Sequence, residues 1–306
     1  MIHKEASATV NNKKKREGTS LVEPYIYLLP AAIILILFTF WPFFKTIYRS
    51  LFVTDNNGQE AVFIGFQNYI ELFNNPSFWN SLWVTLCFVV VVVMVGVLLG
   101  FGTAMLCHKS FPGIRFFSTA YSLPMAVASS GIALVFQVML NQSIGILNEI
   151  LGTNINWLGD PKYALICIGV LTGWLNSGMN FLYFSAGLAG IDDTLYESAS
   201  IDGANEWKKF GYITLPSLKP ITFFVIVTNV INAFQGFAQI QILTRGGPGE
   251  STNVIVYDIY KNAFMNYKYG YASAESVVLF VIIMVLTFLL FRLRGGAFKS
   301  GKFYSN

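Results

Sequence analysis

The stretch YESASIDGANEWKKFGYITLPSLKP, from Tyr196 to Pro220, decides the fold. It places charged residues between two long apolar segments, and a charged side chain in the bilayer core costs about 2.5 kcal/mol or more, so this stretch lies outside lipid. Gly203 allows the chain to reverse, because glycine adopts left-handed backbone angles without steric cost. The pattern predicts a compact knob of two short helices, from Glu197 to Asp202 and from Asn205 to Tyr212, between two membrane spans.

Two prolines, Pro216 and Pro220, follow the knob. Proline lacks a backbone N–H and its ring clashes with the carbonyl one turn earlier, so it starts helices far more readily than it continues them. We expect these residues to end the knob and to start the next membrane span at a fixed angle.

The composition indicates an all-α membrane protein. Hydrophobic residues make up 54% of the 306 residues and charged residues only 12%, against about a quarter charged in soluble proteins. A bilayer core about 30 Å thick needs roughly 20 apolar residues per helix. Charge-poor runs of this length predict six transmembrane helices, at residues 25–44, 82–106, 116–140, 164–187, 221–243 and 276–291.

Lys and Arg are distributed unevenly between the two sides of these spans. Most of the 20 such residues lie in the N-terminal tail, the second loop, the knob and the C-terminal tail. Short loops rich in Lys and Arg stay in the cytoplasm, so both termini and the knob are expected there. The predicted organisation is a cytoplasmic tail (1–24), a six-span domain (25–294) with a coupling loop (190–220), and a second cytoplasmic tail (295–306).

The N-terminal tail carries the basic run Lys13–Arg16. A basic run just inside a membrane span is an orientation signal, so we expect no nucleic-acid partner. The apolar run that follows is long and lacks a small-residue cleavage pattern, which favours an uncleaved first span.

Nothing in the sequence predicts catalysis or a bound cofactor. Gly296 to Lys302 has the spacing of a phosphate-binding loop, but Phe303 stands where Ser or Thr would bind magnesium. The cysteines are far apart and have no histidine partners, which favours packing over a metal site or disulfide. They are Cys87, Cys107 and Cys167. ATP hydrolysis is therefore expected in a separate subunit.

An ion-coupled secondary transporter is the main alternative. Such proteins usually carry ionisable groups within the membrane, whereas Asp258 and Glu275 are expected in or at the edge of the last outer loop. Sodium coupling through backbone carbonyls stays open on this evidence. A channel or scaffold would leave the charged knob unexplained.

Ten positions of the knob and its flank resemble the EAA motif of bacterial importer permeases, in which Glu and small residues precede Asp-Gly-Ala and then Ile-x-Leu-Pro. The matching residues are Glu197, Ala199, Asp202, Gly203, Ala204, Phe210, Ile213, Leu215, Pro216 and Pro220. Ser198 stands where the family usually has Ala. The resemblance implies that the knob inserts into a groove of an ABC ATPase, with Glu197 and Gly203 at its centre and Ile213, Leu215 and Pro216 supporting it.

Two outer segments extend the resemblance to carbohydrate-type ABC permeases, which include importers of glycerol-3-phosphate. Phe63 to Trp83 resembles a first outer loop in which Gly-x-x-Asn-Tyr leads into a short helix, and Thr244 to Phe264 resembles a Gly-Gly-Pro segment. The resemblance implies a type I importer fold in the bacterial inner membrane. It also implies a second permease subunit, two ATPase copies that bind ATP and Mg²⁺, and an extracytoplasmic solute-binding protein.

Uncharged polar residues at helical spacing are the candidates for the substrate pathway. They are Asn176, Asn180, Tyr183, Asn229, Asn232, Gln235 and Gln239. Amides suit sugar hydroxyls, but hydrogen bonding between helices equally favours Asn and Gln in membranes. Because no Lys or Arg is visible in the pathway, we expect a neutral mono- or oligosaccharide. Glycerol-3-phosphate is the alternative, given local similarity at Asn180 to Leu188 and Ser273 to Leu279.

Glycines in the predicted spans recur at four-residue spacing, which lets helices pack closely. They are Gly96, Gly100, Gly169 and Gly173.

The loop from Gly246 to Gly249 is predicted to be irregular, because it consists of glycine and proline. It is either part of the binding protein's docking surface or a plain turn.

Overall fold

Long apolar helices dominate the structure, a computed structural model that describes residues 23–55, 57–108 and 112–299. The basic run Lys13–Arg16, almost all of the 1–24 tail and the end of the 295–306 tail lie outside the described residues. The helices are α1 Glu23–Leu35, α2 Trp41–Arg49, α3 Gln67–Asn74, α4 Pro76–His108, α5 Ile114–Ser122, α6 Ser129–Met139, α7 Ile146–Leu151, α8 Pro161–Ala189, α9 Asp193–Ile201, α10 Glu206–Lys209, α11 Leu215–Phe234, α12 Ala238–Leu243, α13 Ile255–Tyr260 and α14 Tyr269–Lys299.

A small hairpin is the exception to the all-helical prediction. Strands β1 (Phe52–Thr54) and β2 (Glu60–Phe63) pair antiparallel. The predicted short helix after Gly65 is present as α3, and its buried Asn68 donates hydrogen bonds to the Ser50 and Phe52 carbonyls at 2.8 and 3.0 Å.

Five helical segments in the described part of the chain are long and apolar enough to cross a membrane. They are Tyr25–Arg49, Pro76–His108, Pro161–Ala189, Glu206–Phe234 and Tyr269–Arg294. The predicted span at 116–140 is a pair of helices bent by 94° instead of one continuous helix. The break is a 3₁₀ turn over Leu123–Ala126 that contains Pro124, which has no N–H for an α-helical bond. If the bent pair counts as one span, the total is six.

The first helical segment forms a unit of its own up to Thr46, separate from the unit that starts at Ile47. It extends past the predicted end at residue 44, because a π-helical turn at Ile36–Phe40 accommodates Pro42. Its apolar side chains are exposed, as expected for a helix that lies in lipid or against another subunit.

Pro216 lies in the first turn of α11, as predicted for the start of the span, but the two prolines do not end the knob helix. The helix runs without a break from Glu206 to Phe234. A π-helical turn at Phe210–Thr214 precedes the prolines, and within it the Leu215 N–H bonds to the Phe210 carbonyl. The wider turn relieves the clash that Pro216 would otherwise have with the Tyr212 carbonyl, one turn earlier. Pro220 lies inside α11, beyond this turn.

The far end of this helix differs from the predicted span at 221–243 as well. Helix α11 stops at Phe234, and α12 begins after a turn in which Gln235 and Gly236 donate to carbonyls three residues earlier, at 3.1 Å. Gly236 fits against Phe88, whose ring would lie 3.0 Å from an added Cβ.

The last span starts at Tyr269 instead of 276, so Glu275 lies inside it. The Glu275 side chain is fully buried, and its carboxylate accepts a hydrogen bond from Asn262 Nδ2 at 3.1 Å.

The predicted small-residue contacts pack α4 against α8. An added Cβ on Gly100 would lie 2.5 Å from Asn180 Cβ, and one on Gly173 would lie 2.7 Å from Val95 Cβ. The backbones approach so closely only because both positions lack a side chain. The core beside this contact contains Phe88, Val92 and Ile168, whose side chains are fully buried.

The replacement Gly100→Ala should destabilise the protein by about 1–3 kcal/mol, because the added methyl overpacks the contact with Asn180. Gly102→Ala on the same helix is the matched control, since an added Cβ there meets nothing within 4 Å. The midpoint of thermal unfolding in detergent measures both variants. Equal midpoints for Gly100→Ala and Gly102→Ala would contradict the predicted close approach.

Candidate functional site

The coupling loop begins with a capped helix. Asp192 accepts the Thr194 N–H at 3.0 Å and caps α9, and this hydrogen bond lowers the pKa of the Asp192 carboxyl. The helix starts at Asp193, four residues before the predicted start. Asp192 is fully exposed to solvent, so it stays ionised and complements the positive end of the helix dipole.

The predicted reversal is present at Gly203, where φ is +76°. Its N–H bonds to the Ser200 carbonyl at 3.1 Å, and the Ala204 N–H bonds to the Ala199 carbonyl at 2.8 Å. These two bonds form a Schellman motif, which requires a left-handed residue at the glycine position. Asn205 then caps α10 by accepting the Lys208 N–H at 2.9 Å.

The knob is fixed to the membrane helices through Tyr196. Its hydroxyl lies 2.8 Å from Thr214 Oγ1, and its ring centroid lies 6.5 Å from that of His108 at the end of α4. Ala199, Ala204 and Ile213 are half-buried, whereas the other predicted coupling residues are exposed. The exposed ones are Glu197, Asp202, Gly203, Leu215 and Pro216.

Three large exposed side chains join the predicted ones on the knob and its flank. Ile201, Trp207 and Tyr212 are 88%, 82% and 83% exposed. Sequence reasoning missed them because it searched the loop only for the motif positions. Apolar side chains next to Glu197 and Asp202 make a surface suited to protein contact.

A polar cavity of about 300 Å³ lies between α8 and α11. It is lined by Asn176, Met179, Asn180, Tyr183, Thr228, Asn229, Ile231 and Asn232. None of these residues is charged. The structure thus brings five of the seven predicted pathway residues together.

Two of the lining residues, Asn180 of α8 and Asn229 of α11, form hydrogen bonds with each other. Asn229 Nδ2 donates to Asn180 Oδ1 at 2.7 Å, and Asn180 Nδ2 donates to Asn229 Oδ1 at 3.2 Å. Both residues are 2% exposed. An added Cβ on Gly96 of α4 would lie 3.1 Å from both amides. Hydrogen bonding between helices therefore accounts for these two residues.

The remaining lining residues keep polar groups available to a ligand. Asn176 and Tyr183 are half-buried and Asn232 is exposed. Thr228 was not predicted, although it lies four residues before Asn232 on the same face of α11. Its hydroxyl donates to the Phe224 carbonyl at 3.0 Å, which leaves the oxygen free to accept.

Gln235 and Gln239 do not share the face predicted for them. The end of α11 at Phe234 separates them from Asn229 and Asn232. Gln235 is exposed in the turn, and Gln239 is buried on α12. Neither residue lines the cavity between α8 and α11.

Across the described residues, no group of three or more His, Cys, Asp or Glu side chains is arranged to hold a metal ion.

Replacing Asn229 by Leu should cost about 1–3 kcal/mol of stability, because it leaves the Asn180 amide buried without its partner. The double replacement Asn180→Leu with Asn229→Leu should recover part of that loss. Thermal unfolding of both single variants and the double variant in detergent gives the coupling energy. Additive losses, with a coupling energy near zero, would show that the pair is not mutually stabilising.

Comparisons with known proteins agree with this architecture. The family described as binding-protein-dependent transport system inner membrane component matches residues 96–295. The chain is 36% identical over 273 residues to the sn-glycerol-3-phosphate transport system permease protein UgpA of Agrobacterium fabrum, covering 88% of this chain and 93% of that protein. It is 33% identical over 290 residues to the probable ABC transporter permease protein YurN of Bacillus subtilis, covering 91% and 97%.

The fold is shared with a solved transporter. A chain in the crystal structure of a bacterial ABC transporter involved in the import of the acidic polysaccharide alginate superposes with a TM-score of 0.78, at 22% identity, over 88% of this chain and 94% of that one. Family membership excludes the ion-coupled transporter and the channel that the sequence left open. The chain belongs to the family of binding-protein-dependent transport system inner membrane components and is the permease subunit of an ABC importer, with the type I permease fold.

Proposed function

We propose that this permease imports a neutral mono- or oligosaccharide. The observation that carries the proposal is the uncharged cavity between α8 and α11, which presents Asn176, Tyr183, Thr228 and Asn232. Amides and hydroxyls both donate and accept, so they match sugar hydroxyls, which do the same. A cavity of about 300 Å³ is at the low end of ligand-site volumes, which fits a site that a second permease subunit completes.

The assembly that we propose has four further components. They are a second permease subunit, two copies of an ABC ATPase and an extracytoplasmic solute-binding protein. The ATPases bind ATP and Mg²⁺, and this chain binds no cofactor. The Lys and Arg residues of the coupling loop and the tails support cytoplasmic termini. The alginate transporter structure in complex with alginate pentasaccharide-bound periplasmic protein supports an external binding protein.

The knob couples ATP binding to the cavity through one rigid helix. The coupling residues are Glu197, Ala199, Asp202, Gly203 and Ala204, and the helix from Glu206 to Phe234 carries Asn232 near its far end. A displacement of the knob by the ATPase therefore moves the cavity wall directly. Since a helix rises about 1.5 Å per residue, this helix spans roughly 40 Å.

Glycerol-3-phosphate is the second candidate. The relative in Agrobacterium fabrum is named as a permease for it, at 36% identity. The cavity of this chain offers the phosphate no Lys or Arg among its described lining residues. Importing that anion would require cations from the partner permease or a helix N-terminus in the pathway.

Glu197→Lys should uncouple transport, because it reverses the charge on the exposed face that we assign to the ATPase groove. Gly203→Asp should have the same effect by adding bulk and charge at the reversal. Each should lower uptake in proteoliposomes by about tenfold or more, the loss typical of a few interface contacts. Ser198→Ala is the matched control, since its exposed hydroxyl bonds only within the helix, to the Thr194 carbonyl at 2.8 Å. Normal uptake by both variants at normal expression would contradict the proposal that these residues couple the permease to the ATPase.

Asn176→Ala combined with Asn232→Ala should raise the half-saturating sugar concentration, because it removes two candidate ligand amides without touching the Asn180–Asn229 pair. The measurement is ATPase activity of the assembled complex in lipid with its binding protein, using glucose, maltose, maltotriose and sn-glycerol-3-phosphate. We expect the half-saturating concentration to rise about fivefold per lost hydrogen bond. Stimulation of the parent by glycerol-3-phosphate alone would overturn the neutral-sugar proposal.

A further inference from the structure

A second polar cavity, of about 500 Å³, lies apart from the one between α8 and α11. It is bounded by the end of α6, the loops on either side of α7, and the Gly-Gly-Pro loop after α12. Its polar lining consists of Gln137, Asn141, Gln142, Ser143, Asn156 and Thr244. In the orientation proposed above, this cavity opens on the extracytoplasmic side.

The loops around this cavity are held in place by one buried amide. Asn148 is 5% exposed, and its Nδ2 donates to the Gln142 and Ile155 carbonyls at 3.1 and 2.9 Å. Its Oδ1 accepts from Thr153 Oγ1 at 3.0 Å and from Trp157 Nε1 at 2.9 Å. An amide with every group engaged fixes the two loops relative to each other. The cavity wall is therefore preformed.

Two lining asparagines are oriented by their own turns. Asn141 Oδ1 accepts the Ser143 N–H at 2.9 Å, and Asn156 Oδ1 accepts the Gly159 N–H at 2.9 Å. Because each oxygen is engaged with backbone, each Nδ2 is left as a donor. Within the described residues, neither Nδ2 has a hydrogen-bond acceptor.

Acceptors complement these donors, and charge is absent from the lining. Gln137 Nε2 donates to the Ile242 carbonyl at 3.2 Å, which leaves its Oε1 to accept. This bond also ties the cavity to α12, the segment that continues the α11 pathway helix. The described lining contains no Asp, Glu, Lys or Arg. Amide donors and acceptors without charge suit a neutral polyhydroxylated ligand.

We propose that this cavity, with Asn141, Asn156 and Gln137 as its hydrogen-bonding groups, is an entry subsite that receives the neutral saccharide before it reaches the cavity between α8 and α11. The inference rests on the proposed function, and it adds a second saccharide contact outside the membrane core. Asn141 and Asn156 contact sugar hydroxyls through their Nδ2 groups. A preformed subsite here keeps the released sugar next to the pathway.

The test replaces both donors by Asp. Asn141→Asp with Asn156→Asp keeps the oxygen that each turn requires and removes the Nδ2 donor. Asn154→Asp is the matched control, because it adds charge on the same exposed loop outside the cavity lining. The complete transporter, with its second permease subunit, ATPase and binding protein, is assayed in proteoliposomes with glucose, maltose and maltotriose. Sugar uptake is measured at saturating binding protein, together with the binding-protein concentration for half-maximal ATPase activity.

We expect the double variant to take up sugar about fivefold or more slowly than the control, the effect of losing one or two hydrogen bonds. The half-maximal binding-protein concentration should match that of the control. A raised half-maximal concentration would mean that the surface binds the solute-binding protein, and it would overturn the subsite. Uptake equal to the control would also overturn it. A parent complex that no neutral sugar stimulates would instead contradict the proposed function, which separates the two failures.

Discussion

The reciprocal amide pair of Asn180 and Asn229 is the interaction on which the arrangement of the membrane helices depends. An unpaired amide in an apolar core loses its hydrogen bonds to water without replacement, so each asparagine needs the other. Their pairing at 2.7 and 3.2 Å fixes the rotation of α8 against α11. Gly96 and Gly100 let α4 approach this junction, because any side chain there would meet the amides or the backbone of α8. The same rotation directs the remaining polar face toward the cavity.

The continuous helix from Glu206 to Phe234 is a consequence of how proline is accommodated. A π-helical turn at Phe210–Thr214 widens the helix just before Pro216, and Pro220 lies within the α-helical part that follows. In the first helical segment, a π-helical turn likewise precedes Pro42. A continuous helix transmits displacement better than two helices joined by a bend. The knob and the cavity wall are therefore parts of one mechanical element.

The segments between α12 and α14 carry a dense polar network that keeps irregular backbone in place. The Ile255 N–H bonds to Thr85 Oγ1 at 2.9 Å, and Asn253 Nδ2 donates to Asp258 at 3.1 Å. Lys261 pairs with Glu250 at 3.1 Å. Arg245 and Glu250 adopt left-handed angles, with φ of 51° and 64°, which costs a non-glycine residue about 1–2 kcal/mol each. Such strain persists only where surrounding contacts hold the backbone, as they do beside the Gly-Gly-Pro loop.

The sequence by itself determined the membrane class, most of the spans and the reversal at Gly203, because hydrophobic run length and glycine backbone freedom are local properties. It also identified most of the residues that line the α8–α11 cavity from their spacing. Only the tertiary structure decided that Asn180 and Asn229 bind each other, that Gln239 belongs to a separate buried helix, and that Glu275 lies inside the last span. Local sequence cannot reveal these outcomes, because a polar side chain in a membrane finds its partner on another helix. The tertiary structure alone decided that the helix continues through Pro216, since a preceding π-helical turn leaves no signal in residue spacing.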